Sequence, residues 1–306
     1  MNANDELEAP SPALEVRSLT IRYGDREVLA GAGLTVGPGE VHALLGRNGS
    51  GKTSLVRCLL GQQRPADGKV LLFGQDVARR RARLMDRVGV TPEEPNAPAA
   101  WSSRSLADFY RPLYPRWRDR FFFDRLAHWG IDLARPFGQL SRGQKSLVQL
   151  ALALAAEPEL LILDDPTLGL DAVARQTVIR ELIGELAERP MAVLLTSHDF
   201  AGIESLATHV SLLHDGRLQL QEEVETLRSR FRLLRFQLPD GCQAAALLAP
   251  LRPLEVRSFG RAIEALVGRW DEEEGRALAA RCGERSFAAS QPSLENIFIA
   301  MTTGEL

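Results

Sequence analysis

Lysine is nearly missing from this chain of 306 residues: Lys52, Lys69 and Lys145 are the three, and arginine supplies the rest of the 37 basic side chains. Acidic residues number 40, so the formal charge is 37 − 40 = −3. A near-neutral balance argues against bulk attraction to nucleic acid as the main activity. Cysteine is scarce too. Cys58, Cys242 and Cys282 are odd in number and far apart, which fits a reducing cytosol rather than a disulfide frame or a zinc site. No apolar run approaches the roughly 18–20 residues that a membrane helix needs; the best stretch, Leu147–Ala156, is short and contains Gln149. The opening MNANDELEAP is acidic and lacks the basic-then-apolar pattern of a signal peptide. What is present is ordinary for a globular chain, 45% apolar and 25% charged residues, and the length suggests two folding units at about 100–200 residues each.

Residues 1–12 read as a disordered lead-in, with Pro10 and Pro12 among Asn, Asp and Glu. From Leu14 apolar and polar residues alternate, the period of half-buried strands. Val41–Leu45 is a short apolar run that feeds a glycine-rich stretch and a helical segment, Lys52–Leu60. Arg79–Arg87 is a basic run, best read as the solvated face of a helix. Residues 92–139 turn rich in Pro and aromatics at helical spacing, which predicts a helical insertion, placed at 93–139. Then helix and strand alternate: Arg142–Ala156, Leu160–Leu163, Ala172–Glu188, Met191–Thr196 and His209–Leu213. Short all-apolar strands joined by helices indicate a parallel sheet covered on both faces. After Arg230 a new pattern begins, strand-helix-strand-strand-helix-strand with Arg285–Ala289 as its last strand, the order of ferredoxin-like folds. The expected boundaries are therefore 13–230 for a nucleotide-binding domain and 231–306 for a small α+β accessory domain.

Gly46-Arg47-Asn48-Gly49-Ser50-Gly51-Lys52-Thr53 satisfies the phosphate-loop pattern G-x-x-x-x-G-K-[ST] between an apolar strand and a helix. Its glycines let backbone N–H groups face phosphate oxygens, and the helix start adds a positive end. Lys52 is expected to neutralise the β- and γ-phosphates and the Thr53 hydroxyl to ligate Mg²⁺. A second metal ligand belongs on a neighbouring strand. Asp164 supplies it at the carboxyl end of the apolar run Leu160–Leu163.

Leu140-Ser141-Arg142-Gly143-Gln144, the run from Pro166 to Asp171, and Thr196-Ser197-His198-Asp199 join the phosphate loop and the acidic pair in a fixed order. Together they resemble the nucleotide-binding subunit of ATP-binding cassette (ABC) transporters over residues 14–225. The resemblance implies an α/β P-loop ATPase core with an antiparallel β subdomain. It implies that Tyr23 stacks on adenine and that Ser141, Gly143 and Gln144 grip the γ-phosphate bound to a second copy. Asp171 would couple the two sites, and His198 would sense the γ-phosphate. Three positions depart from the family pattern: Asp165 stands where a catalytic glutamate is usual, Glu93 where a metal-contacting loop glutamine is usual, and Arg142 where a glycine is usual. Asp is shorter than Glu by one carbon–carbon bond, about 1.5 Å, so the expected hydrolysis is slow but real. The segment from Pro292 to Phe298 is similar to the tail of ATPases that serve separate, export-type membrane subunits. The implied partners are ATP with Mg²⁺, a second copy and an integral membrane permease, with no nucleic acid, at the cytoplasmic face of a membrane. Two alternatives stand beside this reading: a soluble ABC ATPase acting on nucleic acid or ribosomes, and an importer ATPase.

Overall fold

The computed structural model describes residues 11–200, 202–283 and 286–303. Most of the proposed lead-in, and Arg285 of the proposed final strand, lie outside them. The chain divides into two compact units, one ending at Gln221 and the other starting at Glu222.

The first unit holds two sheets. β1 (Leu14–Tyr23), β2 (Arg26–Val36), β4 (Asp67–Leu72) and β5 (Gln75–Asp76) form an antiparallel sheet in the order β2-β1-β4-β5. The alternating apolar residues of β1 and β2 bury one face, and Leu14, Leu19, Ile21, Leu29 and Leu34 are almost completely enclosed. The second sheet has six strands. β3 (Val41–Leu45), β6 (Val88–Thr91), β7 (Leu160–Asp164), β8 (Ala192–Ser197), β9 (His209–His214) and β10 (Arg217–Glu223) run in the order β10-β9-β3-β8-β7-β6. The ladders from β9 through β6 are parallel. Every residue of β3, β7 and β8 is buried, the signature of central parallel strands covered on both faces. One hydrophobic core joins both sheets to helix α1 (Lys52–Leu59), through Leu44, Leu55, Leu59, Ile162 and Leu194.

Between β5 and β6 lies α2 (Val77–Leu84). The insertion contains α3 (Ser103–Tyr110) and α4 (Asp119–His128), and α5 (Arg142–Ala155) leads back to β7. Its aromatics pack on one another, Trp101 against Phe109 at 5.4 Å and Trp117 against Phe122 at 5.8 Å between ring centroids. Ion pairs fasten it to α6 (Ala172–Glu188), where Glu181 and Glu185 lie about one helical turn apart. Arg125 reaches both, at 2.8 and 3.0 Å. The two glutamates are buried, and charges withdrawn from water need such partners.

The second unit opens with α7 (Val224–Arg230) and builds β11 (Arg232–Gln237), α8 (Ala244–Leu248), β12 (Pro253–Phe259), β13 (Ala262–Val267), α9 (Glu272–Cys282), β14 (Ala288–Ser290) and α10 (Leu294–Thr303). Its sheet runs β12-β13-β11-β14 with antiparallel ladders throughout. A strand of one β-α-β half thus separates the two strands of the other, the split βαβ arrangement. Leu234, Phe236, Leu248, Ile263 and Leu278 fill its own core. No helix among the described residues is long and apolar enough to cross a membrane.

Candidate active site

The loop between β3 and α1 wraps tightly for steric reasons. A Cβ on Gly46 would lie 2.6 Å from the Leu213 carbonyl oxygen, so no side chain fits there. Gly51, with φ +110°, adopts a backbone that other residues rarely take and forms the N-cap of α1. The amides of the loop and of the first helical turn therefore gather at the carboxyl end of the parallel sheet, where anions bind in open α/β folds.

A cavity of about 590 Å³ opens at this place. Tyr23, Asn48, Gly49, Gly51, Lys52 and Thr53 line it together with Glu93, Asp164 and Asp165. Arg26, Val28 and Ser54 complete the wall. Lys52 is buried, and its Nζ donates to the carbonyls of Gly46 at 2.6 Å and Arg47 at 3.1 Å. Burial lowers the Lys52 pKa, against the opposing pull of Asp165, Asp164 and Glu93. Thr53 Oγ1 donates to Glu93 Oε2 at 3.4 Å, so the loop after β6 meets the start of α1.

The acidic pair at the end of β7 is held by β8. Thr196 Oγ1 donates to Asp164 Oδ1 at 2.6 Å, and the Asp165 amide donates to both the carbonyl and the hydroxyl oxygen of Thr196 at 3.1 Å. Burial raises the Asp164 pKa, Thr196 opposes it, and the neighbouring Glu93 and Asp165 charges add to the rise. Asp165 turns out of the strand with φ +47°, a left-handed conformation in which Asp and Asn are enriched among non-glycine residues. Its carboxylate accepts from His198 Nδ1 at 2.5 Å. Ser197 Oγ lies 3.5 Å from its other oxygen.

Other sequence-predicted residues stand apart from this cavity. Ser141 is the N-cap of α5 and shares a capping box with Gln144, at 3.1 and 3.2 Å. Gly143 lies in the first turn of the same helix, where a Cβ would come within 2.9 Å of Ala174. Asp171 caps α6 through the Ala174 amide at 2.8 Å. None of these four lines the phosphate-loop cavity of its own chain. Nor do Gly46, Arg47 and Ser50, which shape the loop from behind. Tyr23 is 46% exposed, and its hydroxyl donates to Gln63 at 2.6 Å, so its ring is pinned at the mouth of the cavity. Arg26, Val28, Ser54 and Thr196 escaped the sequence reading. Thr196 stood inside a quoted motif, while nothing in the local pattern marks the other three.

The donors around the cavity are a hydroxyl and carboxylates, hard oxygen ligands that suit Mg²⁺ completed by phosphate and water. No cluster of three or more His, Cys, Asp or Glu forms a closed metal cage among the described residues. A second cavity, of about 640 Å³, is lined by Arg87, Arg189, Glu157 and Glu159 near the opposite ends of the parallel strands, away from the phosphate loop.

Known proteins share this arrangement. A family profile described as "ABC transporter" matches residues 29–168. The chain is 31% identical over 309 residues to the Nod factor export ATP-binding protein I of Rhizobium meliloti, covering 97% of this chain and 90% of that one. It is 36% identical over 239 residues to the aliphatic sulfonates import ATP-binding protein SsuB of Cupriavidus necator, covering 75% of this chain and 77% of the relative. Among solved structures, an ATP-binding subunit of an ABC transporter superposes with a TM-score of 0.65 at 25% identity, over 71% of this chain and 92% of the other. A phosphate loop facing an acidic strand end, on a fold shared with these relatives, leaves one conclusion: the chain belongs to the ATP-binding subunits of ABC transporters, a family that hydrolyses ATP.

Proposed function

We propose that this chain hydrolyses ATP in the cavity beside Lys52 to drive export through a separate integral membrane subunit. The observation that carries the catalytic part is the convergence of Lys52, Thr53, Glu93, Asp164 and Asp165 on one cavity. In this reading the loop amides and Lys52 hold the triphosphate, and Tyr23 meets the adenine. Thr53, Asp164 and Glu93 would hold Mg²⁺, which supplies charge neutralisation at the phosphoryl oxygens. Asp165 orients the attacking water, and His198 fixes the Asp165 carboxylate through its Nδ1–H. Ser141, Gly143, Gln144 and Asp171 would serve a second copy, since none of them lines the cavity of its own chain.

Export is favoured by coverage. The alignment with the Nod factor export protein runs through nearly the whole chain, so it includes most of residues 222–306, whereas the sulfonate import protein matches 75%. Import is the second reading, favoured by the higher identity of that second relative. A chain purified from its native membrane together with an integral subunit, and reconstituted in vesicles with ATP on one side, separates the two by the direction of cargo movement. Lys52→Ala should abolish phosphate release with the circular dichroism spectrum unchanged. Native-rate hydrolysis by that variant would remove the cavity from the mechanism.

A further inference from the structure

The basic run after β5 lines no part of the ATP site. α2 (Val77–Leu84) buries only its end residues, Val77 and Leu84, while all six residues between them, Ala78 to Arg83, are exposed. Four of the last five of those are arginines. Over residues 76–87 the balance is five arginines against Asp76 and Asp86, 5 − 2 = +3.

The structure accounts for two of the five guanidinium groups. Arg81 Nε donates to the Leu60 carbonyl at 2.7 Å, tying α2 to the end of α1. Arg87 is taken by Glu159 and by the face of Phe73. The other three are weakly engaged. The Arg79 side chain is 84% exposed and reaches Asp76 only at 3.8 Å, and that carboxylate already caps α2 through the Ala78 amide. Arg80 touches the neutral Gln75 at 3.4 Å. Arg83 has no side-chain hydrogen bond or ion pair among the described residues, and it sits four residues from Arg79 and three from Arg80. Arg80 leaves helical geometry at φ −130°, ψ 21°, so the run bends between Arg79 and Arg83. The segment therefore holds three exposed guanidinium groups with at most weak partners among the described residues, available to meet anions.

We infer that α2 is a contact site for the anionic headgroups of a phospholipid surface, through Arg79, Arg80 and Arg83. Charge complementarity names the occupant. Clustered basic residues next to a membrane gain about 1 kcal/mol each from anionic lipid, roughly a fivefold change in binding apiece. Guanidinium forks also match phosphate oxygens two at a time. The contact goes beyond docking on a membrane subunit, because it needs lipid alone. It would hold the ATPase at the membrane surface independently of that subunit.

Flotation of the full chain with vesicles tests this without the membrane subunit present, so the outcome is independent of the proposed transport role. Vesicles of phosphatidylcholine with and without phosphatidylglycerol are compared at low and high salt. The native chain should float with the anionic vesicles only and should be released by salt. The triple variant Arg79→Gln, Arg80→Gln, Arg83→Gln should bind on the order of 100-fold more weakly with its ATPase rate unchanged, since none of the three lines the cavity. Equal flotation of native and triple variant would overturn the inference, as would failure of the native chain to bind anionic vesicles. Substitution-sensitive binding to DNA or RNA without vesicle binding would assign the patch to nucleic acid instead.

Discussion

Asp165, the proposed catalytic carboxylate, sits in an uncommon backbone state, and its neighbours hold it there. The positive φ places the carboxylate beside His198 while the peptide amide is tied to Thr196. Asp and Asn are enriched among non-glycine residues in this conformation, which suits an aspartate at this turn. Thr196 serves both acidic residues, donating to Asp164 and accepting from the Asp165 amide. Thr196→Val keeps the volume and removes the hydroxyl, leaving a buried carboxylate short of a partner. It should cost about 1–3 kcal/mol of stability, seen as a lower urea midpoint, with slower hydrolysis; Thr196→Ser should restore most of both. A Val variant with the native midpoint would show that Asp164 needs no hydroxyl. Of this arrangement, the phosphate loop, Asp164, Asp165 and His198 were legible in the sequence because each lies in a local pattern. The Thr196 tie and the left-handed turn were not, since they depend on β7 and β8 meeting across some thirty residues of chain.

The elements with an unmixed period were the legible ones. Ala172–Glu188 reads as one helix in the sequence and is one in the structure, and the short apolar runs became β3, β7 and β8. β10 and α7 went unread because Arg217–Glu223 is an edge strand with one buried residue, Leu220, and α7 has only two turns. On β3 the central sheet carries a titratable group that sequence spacing left as structural. His42 is fully enclosed, accepts or donates at Nε2 with Ser211 Oγ at 2.8 Å, and has no partner for Nδ1 among the described residues. Burial, then the neighbouring His209, push its pKa down to about 4 from the model-peptide value of 6.5. The depressed value means that the folded state resists the proton. Stability is intact above the unfolded pKa and declines as pH falls from about 6.5 towards 4, by up to ~3 kcal/mol for this group. Denaturant titrations at stepped pH should show that decline in the native chain and a flatter profile in His42→Gln. Identical profiles would remove His42 as the cause.

At the scale of the whole molecule, the proposed function divides each ATP site between two copies of the chain. The cavity beside Lys52 and the helix caps at Ser141 and Asp171 are separate, which makes a second copy the natural source of the missing contacts. The insertion offers the outward surface. Phe109 and Leu113 are 52% and 54% exposed, on a segment that starts at Glu93 beside Thr53. Phe109→Ser with Leu113→Ser should lower copurification with a membrane subunit and spare the ATPase rate of the isolated chain; crosslinks confined to residues 231–306 would contradict this docking face. The proposed catalytic function rests on hydrolysis at Asp165. The most direct measurement follows ATP binding and phosphate release in the same samples of native chain and Asp165→Asn, a change that keeps the shape and the left-handed turn but removes the charge. The account predicts that the Asn variant binds ATP as the native chain does and releases phosphate on the order of 100-fold more slowly or less. Phosphate release at the native rate would contradict it.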